Sequence, residues 1–175
     1  EIDLVFDGKV SDSLNGLYYS NTKTGPFFST QFEATGARYT FPCVDNPSYK
    51  AEFSISLDIP RDFDAISNMP EERISENGNR KTVKFEKTPR MSTYLVYIGA
   101  GHYDIERGDF NGKSIYLTTS KDTMADAKVP IEMAKGSLKY FEDYFGIKYQ
   151  LPKLHLIAVP EFAFGAMENW GAITF

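Results

Sequence analysis

Cysteine is almost missing from this chain: Cys43 is the only one in 175 residues, so no internal disulfide can form. Histidine is nearly as scarce. His102 and His155 lie far apart, and no His-Glu-x-x-His occurs. A zinc ion asks for three or four nitrogen, sulfur or oxygen ligands, so these residues argue against a self-contained zinc site. No apolar run reaches the roughly 18 residues of a membrane-spanning helix. No glycosylation acceptor is present, because Asn46-Pro47-Ser48 carries the excluded proline. No leader pattern opens the chain. Positive charge is outnumbered, 19 Lys and Arg against 24 Asp and Glu, for a net charge of -5. That balance lacks the basic face a nucleic acid would need. Together these absences lead us to expect a cytoplasmic protein with neither a nucleic-acid nor a membrane partner.

Apolar residues are plentiful at 42%, with 14 Phe and 11 Tyr, enough to bury a core in one large domain or two small ones. The first hundred residues read as β. Ala51, Phe53, Ile55, Leu57 and Ile59 alternate with Glu52, Ser54, Ser56 and Asp58, the period of a half-buried strand, and Pro60 closes it. Asn77-Gly78 and Asn111-Gly112 each divide two strand-like runs. That residue pair suits a primed turn, in which both positions take positive φ. Tyr94 to Ile98 reads as a strand buried on both faces, and Gly99 and Gly101 place a domain boundary near residue 101. Ile131, Ala134, Leu138, Phe141 and Phe145 follow helical spacing from about Pro130 to Phe145, with Gly146 placed to end the helix. Leu154 to Val159 reads as a strand broken by Pro160. The chain starts at Glu1 and stops inside a strand-like run, Ile173-Thr174-Phe175, so we expect a piece of a longer protein.

Few residues advertise chemistry. His155 sits in an apolar strand and reads as a structural histidine. Cys43 reads as a packed thiol. Gly99-Ala100-Gly101 lacks the third glycine and the helix of a phosphate cradle. Two segments stand out. In Phe162 to Gly171 a lone carboxylate, Glu168, lies among apolar neighbours: either an ionised group that needs a partner or a solvent-facing residue of an edge strand. In Thr30 to Arg38, Gln31 and Glu33 share one face if the chain is extended, either a wet face or a site.

Taken together, the two segments resemble a family. Gly165-Ala166-Met167-Glu168-Asn169 is similar to the exopeptidase signature of the M1 zinc aminopeptidases, the gluzincins related to aminopeptidase N. Its surroundings agree, from Leu151-Pro152-Lys153-Leu154 through Val159-Pro160-Glu161-Phe162 to Trp170-Gly171. Upstream, Gln31-Phe32-Glu33-Ala34, Ala37-Arg38, Phe41-Pro42-Cys43, Asp45, Lys50-Ala51 and Ser92-Thr93-Tyr94-Leu95 resemble the family's other landmark in the same order. The wording is most similar to the archaeal, tricorn-interacting branch. Two departures are visible: Asn46 stands where the family commonly has Glu, and Phe164 precedes the signature where smaller or unbranched residues are frequent.

The resemblance implies a mainly β N-terminal domain of saddle-like or sandwiched sheets over residues 1–101. The opening α+β part of a thermolysin-like catalytic domain would follow over residues 102–175. It implies a substrate with a free N-terminus and, for that branch, a larger protease complex as partner. Glu168, the candidate catalytic residue, would hold the substrate's α-ammonium together with Glu33. Gln31 would line the first-residue pocket, and Phe164 would border it. Gly165 and Ala166 would offer backbone groups to the peptide, and Met167 and Asn169 would shape the strand. The one zinc ion would be bound beyond Phe175, so this chain alone is expected to be inactive.

The physics of the task agrees with those roles. Only a chain end carries a cationic amine, and carboxylates bind it by charge-assisted hydrogen bonds of about 1.5–3 kcal/mol each. Two facing carboxylates repel unless a cation or proton sits between them. The rival reading is a non-catalytic peptide-binding β module, or an inactive family member. A His-Glu-x-x-His downstream would separate the two. A glycosidase using Glu33 and Glu168 finds no support, since nothing specifies a sugar cleft.

Overall fold

The computed structural model describes all residues, 1–175, as thirteen strands and one α-helix. β1 (Gly16–Thr22) and β2 (Gly25–Gln31) form an antiparallel hairpin, joined by Lys23-Thr24. β3 (Lys50–Ala51), β4 (Ser56–Pro60), β5 (Asp64–Ser67), β6 (Glu71–Asn77), β7 (Arg80–Phe85), β8 (Met91–Ser92) and β9 (Ile98–Gly101) follow. β10 (Tyr103–Phe110) and β11 (Lys113–Ser120) precede α1 (Lys128–Phe145), and β12 (Lys153–Ile157) and β13 (Ala172–Thr174) come last. One four-stranded sheet runs β1-β2-β9-β5, and a second runs β10-β11-β12-β13. β4-β7-β6 and the short pair β3-β8 complete the β structure. The chain leaves the first sheet at Gly101 and enters the second at Tyr103.

The turns explain the hairpins. Asn111 and Gly112 have φ of 52° and 77° between the paired residues Phe110 and Lys113, the primed turn that Asn-Gly favours. The other hairpin departs from expectation by one residue. Asn77 pairs with Arg80, so the loop is Gly78-Asn79, and only Gly78 has positive φ, at 60°. Glycine therefore takes the first loop position, and Asn77 stays in the strand.

Alternation survives as burial from residue 52 to 59: Phe53, Ile55, Leu57 and Ile59 face inward while Glu52, Ser54, Ser56 and Asp58 are exposed. Ala51, expected on the inward face, is exposed because it lies in the separate short strand β3. The regular ladder starts only at Ser56. Before it, Phe53 pairs irregularly, donating its N–H to Thr88 Oγ1 and accepting from the Thr88 N–H. The expected strand over Tyr94–Ile98 is instead a 3₁₀ turn, Thr93–Leu95, and regular pairing begins at Ile98. The Asn68 side chain replaces the missing ladder. Its Nδ2 donates to the Leu95 carbonyl and its Oδ1 accepts the Tyr97 N–H.

α1 buries Ile131, Ala134 and Leu138 against β11 and β12, and Gly146 ends it in the left-handed conformation, φ 68°. Phe141 and Phe145, expected on the same stripe, are exposed, and Glu142 is buried in their place. The reason is polar. Glu142 accepts the Tyr149 N–H at 2.8 Å and the Lys148 ammonium at 3.0 Å, folding the chain back after the helix, and those partners hold its carboxyl below the usual range. An apolar groove of about 900 Å³ remains beside the helix, edged by Met133, Phe141, Phe145, Ile147, Trp170 and Phe175.

The two large sheets share a core. Tyr18, Phe27, Ile66 and Tyr97 pack with Tyr103, Ile157, Val159 and Ala172. Lys153 enters the same junction, only 4% exposed, and its Nζ donates to the carbonyls of Ser67 and Gly171 at 2.7 Å each. It makes no ion pair, and burial takes its pKa down to about 7. A neutral amine has two N–H groups, which the two carbonyls satisfy.

Replacing the fully buried Ile115 by Ala should cost about 2–5 kcal/mol in urea unfolding, since it opens a cavity between α1 and the sheet. The pH dependence has a definite sign. An unfolded lysine titrates near 10.4. Between that pH and about 7 the unfolded chain therefore takes up a proton that folded Lys153 does not, and stability falls as pH falls. Buried Tyr97 and Tyr103 have raised pKa values, so above about pH 10 the unfolded chain ionises first and stability falls as pH rises. The urea midpoint should accordingly climb between pH 7 and about 9.5 and drop above 10. Lys153→Met should flatten the climb, and a wild-type midpoint constant from pH 7 to 9.5 would refute the assignment.

Candidate functional site

The parallel pairing of β12 with β13 shapes the first half of the site. Neighbouring parallel strands need a crossover, and here residues 158–171 supply it without a helix. The crossover leaves the C-terminal end of β12, the end where open α/β sheets place their ligands. Phe162 anchors its start on the Tyr18 and Phe27 core, and the Tyr18 hydroxyl donates to the Glu161 carbonyl at 3.2 Å. Phe164 is exposed, its ring 6.0 Å from that of Phe162 and edge-on. Gly165 and Ala166 are exposed, and a side chain at position 165 would meet nothing within 4 Å.

Met167 is 1% exposed and exchanges backbone hydrogen bonds with Thr174 of β13, at 2.9 and 3.1 Å. Asn169 is fully buried, and its carbonyl accepts the Ala172 N–H across a tight turn. Gly171 has φ 80° there, the geometry that a type II turn demands of its third residue. A Cβ at Gly171 would lie 2.6 Å from the Asn68 carbonyl oxygen. With both neighbours turned inward, Glu168 is turned outward, exposed and without an ion pair. Glu168 thus faces solvent, on a stretch bridged to the sheet edge at Met167.

The other half is the end of β2. Gln31 is the strand's last residue, 1% exposed, and neither Oε1 nor Nε2 has a hydrogen-bond partner within the chain. A buried amide left unpaired carries a desolvation cost of about 1–3 kcal/mol, and a ligand group could relieve it. Glu33 does not share a strand face with Gln31. The strand has ended, and Glu33 lies in the turn that the Gly36 N–H closes onto the Phe32 carbonyl at 2.8 Å, with its side chain exposed. Beyond the turn, Asp45 is buried and takes the Arg38 backbone N–H at 3.0 Å and its Nε at 3.2 Å. Asn46 has a separate role: its Oδ1 accepts the Ser48 N–H.

The two halves meet through apolar contacts. Trp170 packs against the cluster of Phe32, Ala37, Met91 and Val96, so each landmark contributes a ring to one small core. Neither Glu33 nor Glu168 takes part in a hydrogen bond to the other, and the candidate residues line none of the three main cavities. No group of three or more His, Cys, Asp or Glu side chains converges here as a metal site. His155 binds Thr118 Oγ1 through Nε2 at 2.5 Å, and burial holds its pKa well below the usual value. His102 faces Asp62 at 3.5 Å. The residues of this chain therefore do not fit a zinc ion. Sequence reasoning passed over Asn68 and Lys153. A lysine at the head of the mainly apolar run Leu154-His155-Leu156-Ile157 was the available signal for Lys153.

Known proteins are similar to this chain. A family model described as "Peptidase M1 N-terminal domain" matches residues 1–95, and "Peptidase family M1 domain" matches residues 129–175. A protein of Thermoplasma volcanium named tricorn protease-interacting factor F2 is 57% identical over 97% of this chain and 21% of its own length. The protein of that name in Thermoplasma acidophilum is 55% identical over 99% of this chain and 22% of its own. A leucyl aminopeptidase of Saccharolobus solfataricus is 43% identical, again over 99% and 22%. The chain thus spans about a fifth of the length of the curated relatives it matches. With a mainly β first part, an α+β second part and two matching family models, this chain belongs to the M1 family of peptidases.

Proposed function

We propose that this chain is the substrate-recognition part of a zinc metalloaminopeptidase that removes amino acids from the N-terminus of peptides. The observation that carries the reading is the pose of Glu168, held outward between two buried anchors on a crossover that leaves the end of a parallel strand. Glu168 and Glu33 take the substrate's α-ammonium. Gln31, with an unpaired buried amide, orients the first residue, and Phe164 borders its pocket. Gly165 and Ala166 lie open to an incoming peptide backbone, which strand addition would bind without regard to sequence. Met167 and Asn169 hold the segment in register. Anchoring the amine sets the first peptide bond at a fixed distance from the reacting centre, a catalytic gain through positioning.

On this reading residues 1–101 are the β domain and residues 102–175 open the catalytic domain. The zinc ion is held by residues outside this chain, and the protein is cytoplasmic. The printed names of the relatives support a larger protease as partner.

Glu168→Ala and Glu33→Ala in the full-length polypeptide should each lower kcat/KM on aminoacyl substrates about tenfold to a hundredfold, the worth of one charge-assisted bond, with melting temperature nearly unchanged. Normal turnover by either variant would remove that residue from the ammonium clamp. The 175-residue chain by itself should release no amine from an aminoacyl reporter, with or without added zinc. Zinc-dependent release would show that the reacting groups lie within it.

A further inference from the structure

The candidate segment is joined to the first β unit by two side chains that act on adjacent carbonyls. Asn68, at the end of β5, donates from Nδ2 to the Trp170 carbonyl at 2.9 Å and to the Leu95 carbonyl at 2.7 Å. Its Oδ1 accepts the Tyr97 N–H at 2.8 Å, so the amide cannot turn over without losing a partner. Lys153, at the start of β12, donates to the Gly171 carbonyl and to the Ser67 carbonyl, each at 2.7 Å. The two straps are interlaced. The residue from the first sheet holds the turn after Glu168. The residue from the second sheet holds the end of β5 and the same turn. The tight approach of Gly171 to the Asn68 carbonyl leaves no room for a side chain at position 171.

We infer that Lys153 and Asn68 are positioning residues for recognition of the substrate's amino terminus. They fix the Trp170–Gly171 carbonyls to the end of β5, and with them the placement of Glu168 relative to the β2 end that carries Gln31. The inference rests on the reading of Glu168 as an ammonium-binding group. Neither side chain touches the substrate. Their chemistry suits the task, because hydrogen bonds to two consecutive carbonyls set both the height and the rotation of a turn, which apolar packing of Trp170 alone does not.

The test uses the full-length polypeptide with Lys153→Met and Asn68→Ala, and two probes, L-leucinamide and its N-acetyl derivative, as competitive ligands against an aminoacyl reporter. In the wild type leucinamide should bind much more tightly than the acetylated probe. Each variant should weaken leucinamide at least tenfold and leave the acetylated probe unchanged. For the reporter, KM should rise more than kcat falls. If both probes weaken by the same factor, or neither changes while the melting temperature drops, the two residues are merely structural and the inference is overturned. A wild type that binds the two probes equally would overturn the ammonium reading itself, an outcome separate from any effect of the variants. Should Lys153→Met fail to fold, Asn68→Ala removes the neighbouring strap and carries the same expectation.

Discussion

Parallel pairing of β11, β12 and β13 is the constraint from which the second half of the molecule follows. Each parallel step obliges the chain to return along the sheet before it can pair again. The first return is α1, an amphipathic helix that covers the sheet with Ile131, Ala134 and Leu138. The second return, residues 158–171, has no helix, and its backbone is held from outside. Met167 bridges Thr174, the Asn169 carbonyl takes the Ala172 N–H, and Asn68 and Lys153 hold the next two carbonyls. At its C-terminal end the segment has no ladder of its own, and other elements satisfy its backbone polar groups.

The first β unit has a structural part in this arrangement. Its strands β2 and β5 supply Phe27 and Ile66 to a core that the second sheet completes with Tyr103, Ile157 and Ala172. Burying Lys153 and His155 in that junction disfavours their charged forms, and the hydroxyls of Tyr97 and Tyr103 are held protonated by the same burial. The junction is therefore built from titratable groups whose charged forms burial disfavours. Its strength depends on pH although no ion pair crosses it at these residues.

Much of this was legible in the sequence because short-range rules governed it. Asn111-Gly112 turned where primed turns turn, Gly146 ended α1, and the burial alternation over residues 52–59 held. The failures share a cause. Phe141 and Phe145 kept the helical period yet face outward, because Glu142 is drawn inward by a backbone N–H seven residues later. The Tyr94–Ile98 run was apolar enough for a strand, but Asn68, nearly thirty residues earlier, satisfied its backbone instead. Glu33 left the face of Gln31 because β2 ended first.

The sequence by itself determined the family, the order of the landmarks and the local turns, since these depend on residue identity and on neighbours a few positions away. Only the tertiary structure decided which groups are buried without partners, as for Gln31, and which are turned outward, as for Glu168. It alone decided that Asn68 and Lys153 hold the candidate segment. Those outcomes depend on carbonyls and side chains brought together from 86 and 102 positions apart, and no local pattern encodes such distances.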